Sequence, residues 1–174
     1  HEAGVVHYMS NGASTVPAVF HLLHGIRGAG APQHSQSPQA MIWNCPGLEI
    51  VLASSPADVK GLFRTAIESD NPTLFIDHAK LMNQEGPVPD GDYHIPFGVA
   101  DIKRQGSDVT IAALAAMVPR AMDAAEILQA EHGISATVID LRCLVPLDTQ
   151  TILSETSKTG RFFTVEENPR LCGW

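Results

Sequence analysis

Imidazole, hydroxyl and amide side chains stand closest together at Gln33-His34-Ser35-Gln36-Ser37, five polar residues in a row. An imidazole changes charge near neutral pH and can give or take a proton during a reaction. The surrounding run from His24 to Gly47, HGIRGAGAPQHSQSPQAMIWNCPG, holds four glycines and three prolines and has no helical or strand period before Ser37. Glycine admits backbone angles and close approaches that other residues forbid, so this composition describes a loop held close to something. The residues alone leave two readings of His34: a proton carrier presented into a site by a glycine-bearing loop, or a solvated loop histidine. The other chemistry-bearing residues are less organised. His78, His94 and His132 stand at strand, connector and helix-end positions, with no spacing that links them as metal ligands. Asp140 and Arg142 flank a strand end and read as a structural ion pair or an interface contact. Glu166 and Glu167 lie at the carboxyl end of a strand, where sites in open α/β sheets occur, and are candidates for an interface.

The elements that would position these residues are bounded by composition. With 174 residues the chain lies between one large domain and two small ones, and 44% apolar with 17% charged residues is a globular balance. A net charge of −8, with eleven basic residues scattered along the chain, argues against a nucleic-acid surface. The apolar runs are too short to span a bilayer, and the start, HEAGVVHYMSNG, has neither a basic n-region nor an apolar h-region, so neither membrane insertion nor secretion is expected. Cys45, Cys143 and Cys172 are far apart and lack CxxC spacing. Neither a disulfide framework nor a cysteine zinc site is expected, and a reducing cytoplasm is the default.

Ala3 to Tyr8 reads as the end of a helix, and Ser14 to Leu22, around Pro17, as a short buried strand that feeds the loop. Ser37-Pro38 predicts a capped helix over Gln39 to Trp43, broken by Cys45-Pro46-Gly47. Leu48 to Ala53 is a candidate buried parallel strand. Ser55-Pro56-Ala57-Asp58 opens a helix whose Val59, Leu62, Phe63, Ala66 and Ile67 form one apolar face; Asp70-Asn71-Pro72 ends it, and Thr73 to Ile76 is a further strand. Strand, helix, strand with short joins implies a right-handed crossover and parallel pairing. Lys80 to Asp101 is an extended polar connector. Beyond it the pattern is βαβαβ: a strand over Asp108 to Leu114, a helix over Val118 to Glu131 with Met122, Ala125 and Leu128 inward and Gly133 as its stop, a strand over Ile134 to Leu141, a helix capped by Asp148, containing Ile152 and Leu153 and closed by Gly160, and a strand over Phe162 to Val165. The first residues begin in mid-domain and no final helix covers the last strand, so the chain reads as cut at both ends.

The runs VPAVF, GAGAPQHSQS, CPGLEIV, SPADVKGLFRTAIESDNP, DYHIPFGVA, QGSDVTI, VIDLRCLVPLD and TGRFFTVEENPR, in that order across nearly the whole chain, resemble the β subunit of thiamine-diphosphate-dependent 2-oxo acid dehydrogenases. These are the first, decarboxylating components of the pyruvate, branched-chain and acetoin-type complexes. The resemblance implies a parallel-sheet, three-layer α/β fold: part of a transketolase-like pyrimidine-binding domain over residues 1–83, a connector over 84–101, and the first part of a transketolase C-terminal domain over 102–174. It further implies an α/β heterotetramer with a β–β contact, thiamine diphosphate at the α/β interface, and a lipoyl-bearing acyltransferase component as acceptor. The diphosphate and Mg2+ belong to the α partner through a GDG-type motif, which Asp90-Gly91-Asp92 is not. The setting would be the bacterial cytoplasm or the mitochondrial matrix.

His34 matches the family's active-site histidine, on the path of the incoming lipoyl group. When a disulfide is reduced, one sulfur needs a proton as it leaves, which an imidazole can deliver. The resemblance also implies a potassium site at Ala18 and at the helix end Ala66, Ile67, Ser69 and Asn71, where carbonyl and amide oxygens suit a hard cation. Ser69 stands where relatives often have Asp, and His21 where they carry Arg; without the resemblance, residues 66–71 are a helix C-cap. The glutamate that activates the aminopyrimidine ring lies upstream of the first residue, so no cofactor-binding residue is assigned here. Transketolase and deoxyxylulose-phosphate synthase, the alternatives in the same class, fit the QHSQS and DNP segments less well. An assembly module without catalysis is the alternative from another class.

Overall fold

Short apolar runs alternating with amphipathic segments fold here as strands and helices around two sheets. The computed structural model describes residues 1–27 and 30–173. In chain order the elements are α1 (Glu2–Met9), β1 (Val19–His24), α2 (Gln39–Trp43), β2 (Glu49–Val51), α3 (Pro56–Glu68), β3 (Thr73–His78), β4 (Asp101–Arg104), β5 (Val109–Ala113), α4 (Met117–His132), β6 (Ala136–Asp140), β7 (Cys143–Val145), α5 (Thr149–Thr159) and β8 (Phe162–Val165). The first sheet has the order β1-β3-β2-β7, with β1 and β2 parallel to β3, and β7 antiparallel to β2. The second has the order β4-β6-β5-β8, parallel except for β4. The expected α/β class with mostly parallel sheets is what the chain adopts.

Strand alternation sends successive side chains to opposite faces. Val51, Ala53 and Phe75 pack towards Leu62 and Ala66 of α3. Ile111, Ala113 and Val138 pack towards Val118, Ala121 and Ala125 of α4. The opposite faces gather Ile50, Leu52, Leu74 and Ile76 with Ala112, Leu114, Ile139 and Leu141 into one cluster, to which Ile42 and Trp43 of α2 and Ile152 of α5 add their edges. This last cluster therefore runs through both halves of the chain.

The helix signals act locally as their chemistry requires. Ser55 accepts the Asp58 N–H and Asp148 the Thr151 N–H, capping α3 and α5, while Gly133 and Gly160 end α4 and α5 in left-handed conformations. Other expectations are corrected. Ser37 forms no cap: α2 is a single short turn preceded by Pro38 without a side-chain cap bond. β1 starts only after Pro17 and is an edge strand, with Phe20 45% exposed, because among the described residues it pairs with β3 alone. In α3 Val59 and Ile67 face solvent, and the buried stripe is Asp58, Gly61, Leu62 and Ala66. The connector folds back onto that stripe: the Ile95 N–H donates to the Gly61 carbonyl (3.1 Å) and the Tyr93 hydroxyl to that of Ala57. Two strands, β4 and β7, have no counterpart in the sequence reading.

β7 follows β6 of the second sheet yet completes the first, and a buried ionic network surrounds the crossing point. Arg142 stands between them at φ 58. Its guanidinium pairs with Asp58 of α3 (2.6 Å) and Asp101 of β4 (3.2 Å). The expected Asp140–Arg142 ion pair is not what forms: Asp140 accepts only the Arg142 backbone N–H (3.1 Å), together with the Ser54 hydroxyl, and has Lys103 Nζ at 3.7 Å. Burial opposes the charge of Asp58, but the Ser55 hydroxyl, Lys103 and Arg142 outweigh it and hold the carboxyl below its usual range.

Candidate functional site

The polar loop leaves β1 at its carboxyl end, and its base is fixed by a contact only glycine permits. Gly25 has φ +93, its N–H donates to the Gln36 carbonyl (3.0 Å), and a Cβ at this position would lie 2.1 Å from His78 Nε2. Gly28 and Ala29 of the loop lie outside the described residues. Ala31 sits at φ 58, a costly angle for a residue with a Cβ, and leads into a 3-10 turn over Pro32–His34. His34 is exposed at the end of that turn. The residues after it, Ser35, Gln36 and Ser37, form one wall of a 720 Å³ groove with Trp43; Glu167, Asn168 and Leu171, from the segment after β8, form the other.

Beneath the loop lies a second cluster. β1 and β3 pair in parallel with His24 opposite His78, so the last residue of each strand is a histidine at a carboxyl end. Their rings meet edge to face, centroids 4.7 Å apart. The Lys80 N–H donates to His78 Nδ1 (3.1 Å), which leaves Nε2 to meet the carboxylate of Glu167. Both nitrogens of His24 are buried without a hydrogen-bond partner among the described residues. Burial, and next the neighbouring His78, lower the His24 pKa to about 3, so its ring is neutral at physiological pH. One donor atom from each of His24, His78 and Glu167 lies within 4.8 Å of the others.

This corrects the sequence reading of His78, which stands in a three-residue constellation and not alone; His94 instead pairs with Glu68 (2.7 Å). Glu167, an interface candidate by sequence, reaches inward to it. His24 was missed. The legible signal was the shared ending of VFHLLH and TLFIDH, which parallel pairing in register turns into a histidine pair.

The residues expected to bind potassium lie at one end of the first sheet. The Ala18 carbonyl accepts the Thr73 N–H (2.9 Å), Ala66 is buried in α3, and the Ile67 side chain is exposed. Ser69 Oγ (2.9 Å) and Asn71 Nδ2 (3.2 Å) donate to the carboxylate of Glu49, which also accepts the Thr73 hydroxyl (2.6 Å). Glu49 is thus the polar centre of this corner, a role that its place at the head of an apolar run concealed. His21 pairs with Asp77 (2.7 Å).

Residues 2–84 match the transketolase pyrimidine-binding domain and residues 98–174 the transketolase C-terminal domain. The chain is 42% identical to the β subunit of acetoin:2,6-dichlorophenolindophenol oxidoreductase of Cupriavidus necator, covering 98% of this chain and 50% of that protein. It is 41% identical to the 2-oxoisovalerate dehydrogenase β subunit of Bacillus subtilis (97% and 52%) and 43% identical to the pyruvate dehydrogenase E1 β subunit of Rickettsia felis (99% and 51%). The chain therefore spans about half the length of the curated relatives it matches. A solved structure described as a split-gene transketolase, inactive β4 tetramer, superposes with a TM-score of 0.76 at 24% identity, over 99% of this chain and 56% of that one, which shows the fold.

Proposed function

Since the chain belongs to the transketolase-type family, as a homologue of the E1 β subunits of pyruvate, acetoin and 2-oxoisovalerate dehydrogenases, we propose that it is the part of such a subunit that delivers the acyl acceptor's proton. The reaction is oxidative decarboxylation of a 2-oxo acid with acyl transfer to lipoamide. The partners are an α subunit, a second β subunit and a lipoyl-bearing acyltransferase. The observation that carries the reading is His34, exposed on a strained turn that runs directly into the wall of an open groove.

The groove fits one portion of thiamine diphosphate. Its described lining offers hydroxyls, amides, an indole and one carboxylate, with neither Lys nor Arg, which suits the neutral aminopyrimidine and the cationic thiazolium and not the diphosphate. This supports assignment of the diphosphate and Mg2+ to the α partner. Bound there, the cofactor supplies the electron sink for decarboxylation. His34 Nδ1 or Nε2 holds the proton that the departing sulfur of a lipoyl disulfide takes up, and its exposure lets a tethered arm reach it. Gly25 and Ala31 fix where the turn stands, and Ser35 and Ser37 set the polarity of its wall.

The division into 1–83, 84–101 and 102–174 belongs to this reading, as does potassium on Ala18, Ala66, Ile67, Ser69 and Asn71, supported by the Glu49 carboxylate beside Ser69 and Asn71. So does a setting in the bacterial cytoplasm or mitochondrial matrix; no helix among the described residues is long and apolar enough to cross a membrane. An assembly module without catalysis gives the opposite result in one test. In the complete subunit with its α partner, His34→Asn lowers acyl transfer to lipoamide about 10²–10⁴-fold while oxidation by a small dye stays within about tenfold. Equal loss of both activities, or loss of neither, overturns the assignment.

A further inference from the structure

We propose that His24, His78 and Glu167 form a site for a divalent transition metal ion of the Zn2+ class, held by two imidazoles and one carboxylate with one position left open. Three separate parts of the chain supply the donors: the end of β1, the end of β3 and the segment after β8. Both histidines are buried, at 5% and 2% exposure, and the Glu167 side chain is 10% exposed. Donors brought together at such depth are held by the fold and not by chance of surface rotamers.

The second observation is the orphaned ring of His24. Its two nitrogens are enclosed with no hydrogen-bond partner among the described residues, although the strand could have carried an apolar residue there without that penalty. A ring whose nitrogens make no hydrogen bond has a lone pair free to ligate. Two imidazoles and one carboxyl group are a donor set that catalytic Zn2+ sites use. Nitrogen donors select Zn2+, Cu2+ or Ni2+ over Mg2+ and Ca2+, which prefer oxygen.

The distances are within reach of closure. Donors now lie within 4.8 Å of one another, whereas an ion at about 2.0–2.2 Å from each sets tetrahedral donor separations of about 3.3 Å. His78 and Glu167 already touch and must part slightly, so closure brings the His24 ring and the Glu167 carboxylate, on a segment outside the sheets, toward a common centre. Loading costs two contacts: with an ion on Nε2, His78 gives up its hydrogen bond to Glu167, and with its proton on Nδ1 it can no longer accept the Lys80 N–H. A strongly held transition metal offsets both; a weakly held hard cation does not. The open position is accessible because His78 also lines a 290 Å³ cavity beside Ser54 and Asp77, while Glu167 lines the groove. A loaded site would pin the groove's far wall to the base of the His34 loop. It shares no residue with the potassium corner around Glu49.

The test titrates the purified, chelator-stripped protein with Zn2+ alone and, in parallel, with Co2+. One equivalent of Zn2+ binds saturably, Mg2+ does not compete, Co2+ develops the visible bands of a four- or five-coordinate site, and the Lys80 amide resonance moves. Glu167→Gln and His24→Phe each weaken Zn2+ at least tenfold. Should the buried His24→Phe variant fail to fold, Glu167→Gln, at the periphery of the fold, decides the matter with its circular dichroism as control. No saturable equivalent, or unchanged affinity in folded Glu167→Gln, overturns the proposal.

Discussion

Asp140 carries the clearest pH signature in the molecule. It is fully enclosed at the end of β6, and burial pushes its pKa up to about 6 against the Ser54 hydroxyl and Lys103, with Asp58 adding to the rise. A carboxyl whose folded pKa is raised contributes stability that is present below its unfolded value near 4 and is lost as pH rises through 6. Compared with Asp140→Asn, the wild-type protein should lose on the order of 1–3 kcal/mol between pH 4 and pH 7, read from urea unfolding at each pH. A difference that stays flat across that range would mean that Asp140 ionises as an ordinary aspartate. The sequence showed that Asp140 and Arg142 mattered but paired them wrongly. Nearness along a chain does not say which way a side chain turns, and the left-handed backbone at Arg142 swings its guanidinium to Asp58, 84 positions away in sequence order. The loop around His34 was legible because five polar residues in a row have no place in a core. His24 was hidden because a histidine that ends an apolar strand looks like any strand residue until the opposite strand is known.

At the scale of elements, the ones read correctly are those with both a period and a punctuation mark. α3, α4 and α5 carry apolar spacing with Ser55, Gly133 or the Asp148–Gly160 pair at their ends, and each was found. β4 and β7 have four and three residues, too few for a period to register, and what makes them strands is their partners, β6 and β2. The ionic network where β7 crosses between sheets is the element-scale interaction most open to test. Arg142→Met leaves the carboxylate of Asp58, 2% exposed, with Lys103 at 3.4 Å as its remaining cation. Removing one member of a buried pair strands the other, so the variant should lose about 3 kcal/mol in chemical denaturation at pH 7. A loss under about 1 kcal/mol would mean that water or Lys103 takes over the charge.

Across the whole molecule, composition marked a globular chain, the alternation of strands and helices an α/β one, and the polar connector suggested two parts joined by a tether. The packing binds them more closely than that. One cluster takes residues from β2, β3, β5 and β6, β7 is built from the second half yet completes the first sheet, and Ile95 and Tyr93 dock the connector on α3. Two units that shared only a tether would melt separately, whereas units that share a core must lose it together. The chain should therefore unfold in a single calorimetric transition with matching van't Hoff and calorimetric enthalpies. Leu144, 1% exposed on β7, tests the coupling directly. Its truncation to Ala removes buried methyl groups and opens a cavity at the seam, at a cost of about 3 kcal/mol. Because the seam belongs to both sheets, the most protected amides of β3 and of β6 should lose hydrogen-exchange protection by the same amount. Faster exchange confined to β3 and its neighbours would show that the first sheet opens on its own, and that β7 is an edge clipped to it and not a shared wall.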